Sequence, residues 1–139
     1  MPIYLLDTNQ LRLLENCQPT FMSHFLAHRQ ADVATSIVCV QEVLKGRLGA
    51  LTAARKPSDL YSGYRFLKQA ADSFSQLPIV LFDGVADGAF QTIRALQLKS
   101  GTQAQRIAAT ALANGLTLVT SNTRHFTSIP GLRLADWSV

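Results

Sequence analysis

Three residues carry chemistry that metal-assisted hydrolysis could use. Asp7 directly follows the apolar run "IYLL", Glu42 lies within "VCVQEVLKG", and Asn122 follows "LTLVT". A carboxylate at a strand end either caps the next helix or holds a metal, and for a lone Asp capping is the commoner role. Glu42 reads differently. Val40, Val43 and Leu44 mark a buried stripe at about 100° per residue, and this puts Glu42 on the far, solvated side of its helix. Asn122 reads first as a turn residue and second as a neutral oxygen ligand. Asp83 and Asp87 read as acids at a helix N-terminus, complementing its dipole. "GTQAQRIAAT", at residues 101 to 110, opens a helix whose first turn holds no carboxylate.

Other chemistries lack their residues. His24 and His28 have i, i+4 spacing but no acidic third partner, and both are expected on the exposed face of a short helix. His125 either touches a substrate phosphate or fills a turn. Neither G-x-S-x-G nor the phosphate-loop pattern occurs. Cys17 and Cys39 form no C-x-x-C pair and read as reduced and structural.

The elements that must position these groups alternate along the chain. Strands are expected at Ile3–Leu6, in "ADVATS", in "LPIVLFD", in "LTLVT" and in "GLRLAD". Helices are expected through "QLRLLEN", from Phe21 to His28, after a Thr35 or Ser36 cap, after Pro57, from about Val85 to Lys99, and from Gln103 to Asn114. For the last of these Thr102 is the expected cap and Gly115 the stop. Strands separated by helices imply a parallel sheet covered on both faces, with ligands gathering beyond the carboxyl ends of its strands. Asp7, Thr8 and Asn9 fall at one such end, and Ser121, Asn122 and Thr123 at another.

The chain of 139 residues suits one domain over residues 1–139, with 47% hydrophobic and 16% charged residues. Neither a membrane-length apolar run nor a signal-peptide pattern is found, so a cytoplasmic protein is the simplest expectation. A net charge of +4 is compatible with a polyanion partner without demanding one.

"LLDTN", "VCVQEVLKG", "GTQAQRIAATALANGLTLVTSNTRHF" and the closing "IPGLRLADW" together resemble the PIN-domain family, in particular VapC-type toxins of toxin–antitoxin pairs. The resemblance implies a three-layer α/β/α domain with a central, mainly parallel sheet, acting as a Mg²⁺- or Mn²⁺-dependent endoribonuclease on single-stranded or looped RNA. It places the family's acids on Asp7 and Glu42, overriding the solvated reading of Glu42, and a polar ligand on Asn122. Thr8 and Ser121 become supports of the site. Arg106 and Arg124, flanking it in sequence, are candidates for contacting phosphate, with solvated surface arginine as the alternative. The family's remaining acid belongs at position 104, where this chain has Ala104.

Ala104 is compatible with a deliberate exchange in an otherwise intact pattern, with a degenerate inactive domain, or with compensation by a neighbouring group. The isolation of the loss favours the first. The resemblance further implies a VapB-type antitoxin partner and a homodimer, for which Phe21, Phe25, Tyr61 and Tyr64 are candidate surface aromatics. Two alternatives stand beside the nuclease. One is an inactive PIN-like module binding RNA or an antitoxin peptide. The other is a phosphotransferase using Asp7 as nucleophile, ranked last because Asn9 breaks the D-x-D pattern.

Overall fold

Strand β1 (Tyr4–Leu6) is only three residues long, yet it organises the molecule. A computed structural model describes all 139 residues. Its five-stranded sheet has the order β3-β2-β1-β4-β5, with β2 (Val33–Ser36), β3 (Ile79–Val80), β4 (Thr117–Val119) and β5 (Leu134–Ala135), and every pairing is parallel. Between them run α1 (Thr8–Glu15), α2 (Pro19–Leu26), α3 (Ile37–Ala53), α4 (Pro57–Ser75), α5 (Gly84–Ala95) and α6 (Thr102–Ala113).

Alternation along the strands builds the layers. Leu5, Ala34 and Leu118 enter one core with Phe90, Ile93 and Ile107 of α5 and α6. Their neighbours Leu6, Val33 and Val119 enter a second core with Leu11, Phe21, Ala70 and Phe74 of α1, α2 and α4. Successive side chains of a strand point to opposite faces, so a sheet with apolar residues in both registers must be covered twice. This is the three-layer α/β/α arrangement expected above.

Several local expectations hold and some need correction. Asp83 caps α5 through the Ala86 N–H at 3.0 Å, and Gly115, at φ 64°, follows the end of α6 in the left-handed conformation that glycine adopts at little cost. Ser36, not Thr35, caps α3, accepting from the Cys39 N–H at 3.1 Å, because the Thr35 hydroxyl donates to the Leu6 carbonyl inside the sheet. Thr102 is the first residue of α6 rather than its cap. Gly101 occupies the cap position and no side chain caps the helix. Helix α5 stops at Ala95, short of Lys99, and the left-handed Gln97 at φ 54° breaks its continuation.

His24 and His28 are not on an open face. Both half-buried rings stack on Trp137, at 6.1 and 5.3 Å between centroids, because the chain after β5 returns beside α2. Phe21, a candidate surface aromatic, is fully buried, and Phe25 stacks on it at 5.9 Å. Tyr61 and Tyr64 are exposed, although burial in the protomer's own core is the commoner fate of such aromatics. Cys17 and Cys39 are free thiols, the second buried, where desolvation pushes its pKa up and keeps it protonated. No helix is long and apolar enough to cross a membrane.

Candidate functional site

From β1 the chain order steps outward to β2 on one side and to β4 on the other, so the sheet's switch point lies between β1 and β4. In doubly wound sheets this crevice, beyond the carboxyl ends, receives ligands. Leu6 pairs with Val119 at that edge, and the Asp7 N–H donates to the Val119 carbonyl at 2.9 Å, fixing Asp7 where the two strands separate.

Asp7 is 9% exposed and both carboxylate oxygens are held. Oδ1 accepts from the Thr8 N–H at 2.8 Å, and Oδ2 from the Thr120 hydroxyl at 2.9 Å. Glu42 meets it through the same threonine, whose hydroxyl donates to Glu42 Oε1 at 2.7 Å. A single residue thus ties together carboxylates 35 positions apart in the chain.

The solvated reading of Glu42 misjudged its helix. The fully buried residues of α3 are Val38 and Cys39, with Val40 and Val43 only partly buried against the second core. Glu42 is four residues after Val38 and three after Cys39, hence on their face one turn later. That face carries on past the carboxyl edge of the sheet, so the side chain reaches the crevice instead of a core. The i, i+4 relation to "VC" was the signal available in the sequence.

The remaining candidates divide. Ser121 lines the cleft beside Thr8 and Glu42, and its oxygen accepts from Gln10 Nε2 at 3.0 Å. Asn122 is exposed, its N–H donating to Thr120 Oγ1 and its side-chain amide lying 3.1 Å from His125 Nδ1. This accounts for His125 as a turn partner. Arg106 turns to Gln103 Oε1 at 2.8 Å and lies 5.3 Å from the Phe90 ring centroid. Arg124 is exposed and makes no side-chain ion pair. Ala104 sits in the first turn of α6, packed on the first core. The neighbouring Gln103 donates to Gln41 Oε1 at 3.0 Å, so this turn abuts the residue preceding Glu42.

Sequence reading missed Gln10. It is fully buried between Asp7 and Ser121, and its Oε1 has no hydrogen-bond partner. Its place three residues after Asp7, on the helix that Asp7 opens, was the available clue.

The donor set suits a hard divalent cation only in part. Glu42 Oε1 is taken and Oε2 makes no hydrogen bond, and the carboxylate pair is compatible with an ion that keeps most of its waters. No group of three His, Cys, Asp or Glu converges anywhere in the chain.

The fold and its carboxylate crevice define a PIN-like α/β/α domain. No family model matches the chain. It is 27% identical over 138 residues to the tRNA(fMet)-specific endonuclease VapC of Salmonella typhimurium, covering 96% of this chain and 97% of that protein. Among solved structures it resembles DNA-bound VapBC of Salmonella typhimurium, with TM-score 0.83, 26% identity and 99% of each chain covered. VapBC2 of Rickettsia felis, bound to a promoter DNA fragment, superposes with TM-score 0.79 and 25% identity over 97% of this chain and 98% of that one. The chain therefore has strong structural and weaker sequence homology to the VapC PIN-domain toxins of type II toxin–antitoxin systems.

Proposed function

We propose that this chain is a PIN-domain endoribonuclease toxin, a single domain over residues 1–139, whose metal centre is weakened by Ala104. The observation that carries the reading is the Thr8 link, which holds Asp7 and Glu42 together at the sheet's switch point. Those two carboxylates would hold Mg²⁺ or Mn²⁺, with Asn122, which follows Ser121 of the cleft, as the assisting ligand once its amide leaves His125. Such an ion supplies polarisation of an RNA phosphodiester and a hydroxide nucleophile at neutral pH. The chain's own residues do the rest. Thr8 and Thr120 hold the carboxylates in place by donating to their oxygens, and Arg124 stands free to meet phosphate.

Homology to VapC supports RNA as the substrate, and to VapBC complexes a VapB-type antitoxin as partner. Action would be in the cytoplasm, on single-stranded or looped RNA. Exposed Tyr61 and Tyr64 on α4 support a homodimer, whereas buried Phe21 does not.

The test compares this chain with Ala104→Asp, each with Mg²⁺, Mn²⁺ or chelator, on a mixed single-stranded RNA pool. Metal-dependent cleavage is expected from the Asp form and little or none from the parent, and Asp7→Asn should abolish it. A folded Ala104→Asp protein that never cleaves would refute the reading. The missing third acid favours one alternative, a PIN-like module that binds RNA or an antitoxin peptide without turnover. It predicts binding insensitive to chelator.

A further inference from the structure

The crevice beside Glu42 opens into a cleft of about 950 Å³ between α1, α3 and α4, far more room than a metal ion and its waters require. Small residues, Gly46, Ala50 and Gly63, form part of its lining. A side chain added at Gly46 would meet nothing within 4 Å.

We propose that this cleft seats the nucleotide adjoining the reacting phosphate of a single-stranded RNA, an inference that rests on the endoribonuclease reading. An RNA strand crossing the carboxylates has to continue somewhere, and the cleft begins at Thr8, Glu42 and Ser121. Three features of its lining fit a nucleotide.

The first is charge. Glu15 is matched by Arg47, whose Nη2 lies 3.0 and 2.9 Å from its two oxygens, and Glu42 Oε1 is taken by Thr8. Arg12 is exposed and pairs with no acid, so the free cation of the lining is available to a phosphate.

The second is a stacking surface. Phe66 is 52% exposed although it lines the cleft, and the Arg47 guanidinium stands 5.9 Å from its centroid, bracing the ring. Aromatic rings presented this way stack on bases of any type.

The third is a set of uncommitted amides. Asn9, Asn16 and Gln69 are exposed, line the cleft and make no side-chain hydrogen bond within the chain. Each offers a donor and an acceptor, the pair that reads a base edge. At the carboxylate end, Ser121 accepts from Gln10 and so has its own O–H left to donate. Bases locked in a duplex could not enter a concave cleft, which restricts the occupant to unpaired RNA.

The experiment measures binding of a fluorescein-labelled single-stranded RNA to the parent chain by anisotropy in chelator, so that cleavage cannot contribute. Phe66→Ala and Arg12→Ala alter exposed side chains, and circular dichroism checks their folding. Phe66→Ala is expected to weaken binding about tenfold, the usual loss of one base–aromatic stack. Arg12→Ala should weaken it uniformly across sequences and lower the salt slope by about one. Val85→Ala, exposed on α5 outside the cleft, should change nothing. RNA bound equally by parent, Phe66→Ala and Arg12→Ala overturns the cleft assignment while leaving the nuclease reading intact. Failure of the parent to bind RNA, together with no cleavage by Ala104→Asp, overturns both. A peptide competing for the cleft with no effect of these variants on RNA affinity assigns it to a protein partner and likewise overturns the proposal.

Discussion

Arg47→Met should cost the fold about 3 kcal/mol, and the structure shows where that loss arises. The Arg47 side chain is 17% exposed and its partner Glu15 only 7%. The guanidinium contacts both Glu15 oxygens, donates to the Phe66 carbonyl, and lies over the Phe66 ring, so it ties α1, α3 and α4 together at the cleft floor. Methionine fills similar volume but strands a nearly buried carboxylate. Breaking such a pair costs about 3–5 kcal/mol, mostly the penalty of the orphaned charge, and residual exposure places this case at the low end.

For a chain of this size that is a fall in Tm of roughly 10 °C. Trp137, the single tryptophan and 4% exposed, reports unfolding in urea by its fluorescence. Removing both charges, as Arg47→Met with Glu15→Gln, should return the protein to within about 1–2 kcal/mol of the parent, because an uncharged pair no longer needs desolvating. A single-variant loss under about 1 kcal/mol, or a double variant no better than Arg47→Met, would refute the reasoning.

Three further outcomes are expected. Gln10→Met removes a buried acceptor that has no partner and loses a single bond to exposed Ser121, so Tm should hold or rise by a few degrees; a loss above about 1 kcal/mol would mean that Oε1 is satisfied by a buried water. With a thiol reagent under native conditions one cysteine should react, the exposed Cys17, and the second only on unfolding, since Cys39 is buried and held protonated; two fast thiols would contradict this. The Arg29 guanidinium holds the Asp32 carboxyl below its ordinary pKa. A depressed folded-state pKa stabilises above the unfolded value of about 3.9 and is lost as pH falls through the folded one. The stability difference between parent and Arg29→Ala should therefore be present at about pH 6 and fade in acid; a difference that grows on acidification would reverse the sign.

The fold was legible because parallel sheets write apolar runs, and "IYLL", "ADVATS" and "LTLVT" each became a strand whose residues alternate between the two faces. Asp7 was legible for the same reason, standing where such a run ends. Glu42 was not legible from the helix stripe. A moment assumes a helix buries one face along its whole length, but α3 starts against the first core and ends against α4. The resemblance put it beside Asp7, where the Thr8 hydroxyl meets it. The histidine pair was misjudged because its cover, Trp137, comes from more than a hundred residues away. The capping of α6 failed because Gly101 takes the position next to a competent Thr102, a choice of one residue that propensity does not resolve.

The position of β1 in the middle of the sheet also sets an order of events during synthesis. This strand leaves the ribosome before the other four of its sheet, yet one of its two neighbours is β4, more than a hundred residues later. Asp7 obtains its backbone anchor from Val119 and its hydroxyl partner from Thr120. Until those residues have emerged, the carboxylate stands at the unpaired edge of an incomplete sheet. A nascent chain thus carries Asp7 and Glu42 without the arrangement that holds them at the switch point, and residues up to Thr120 must emerge before that arrangement can form.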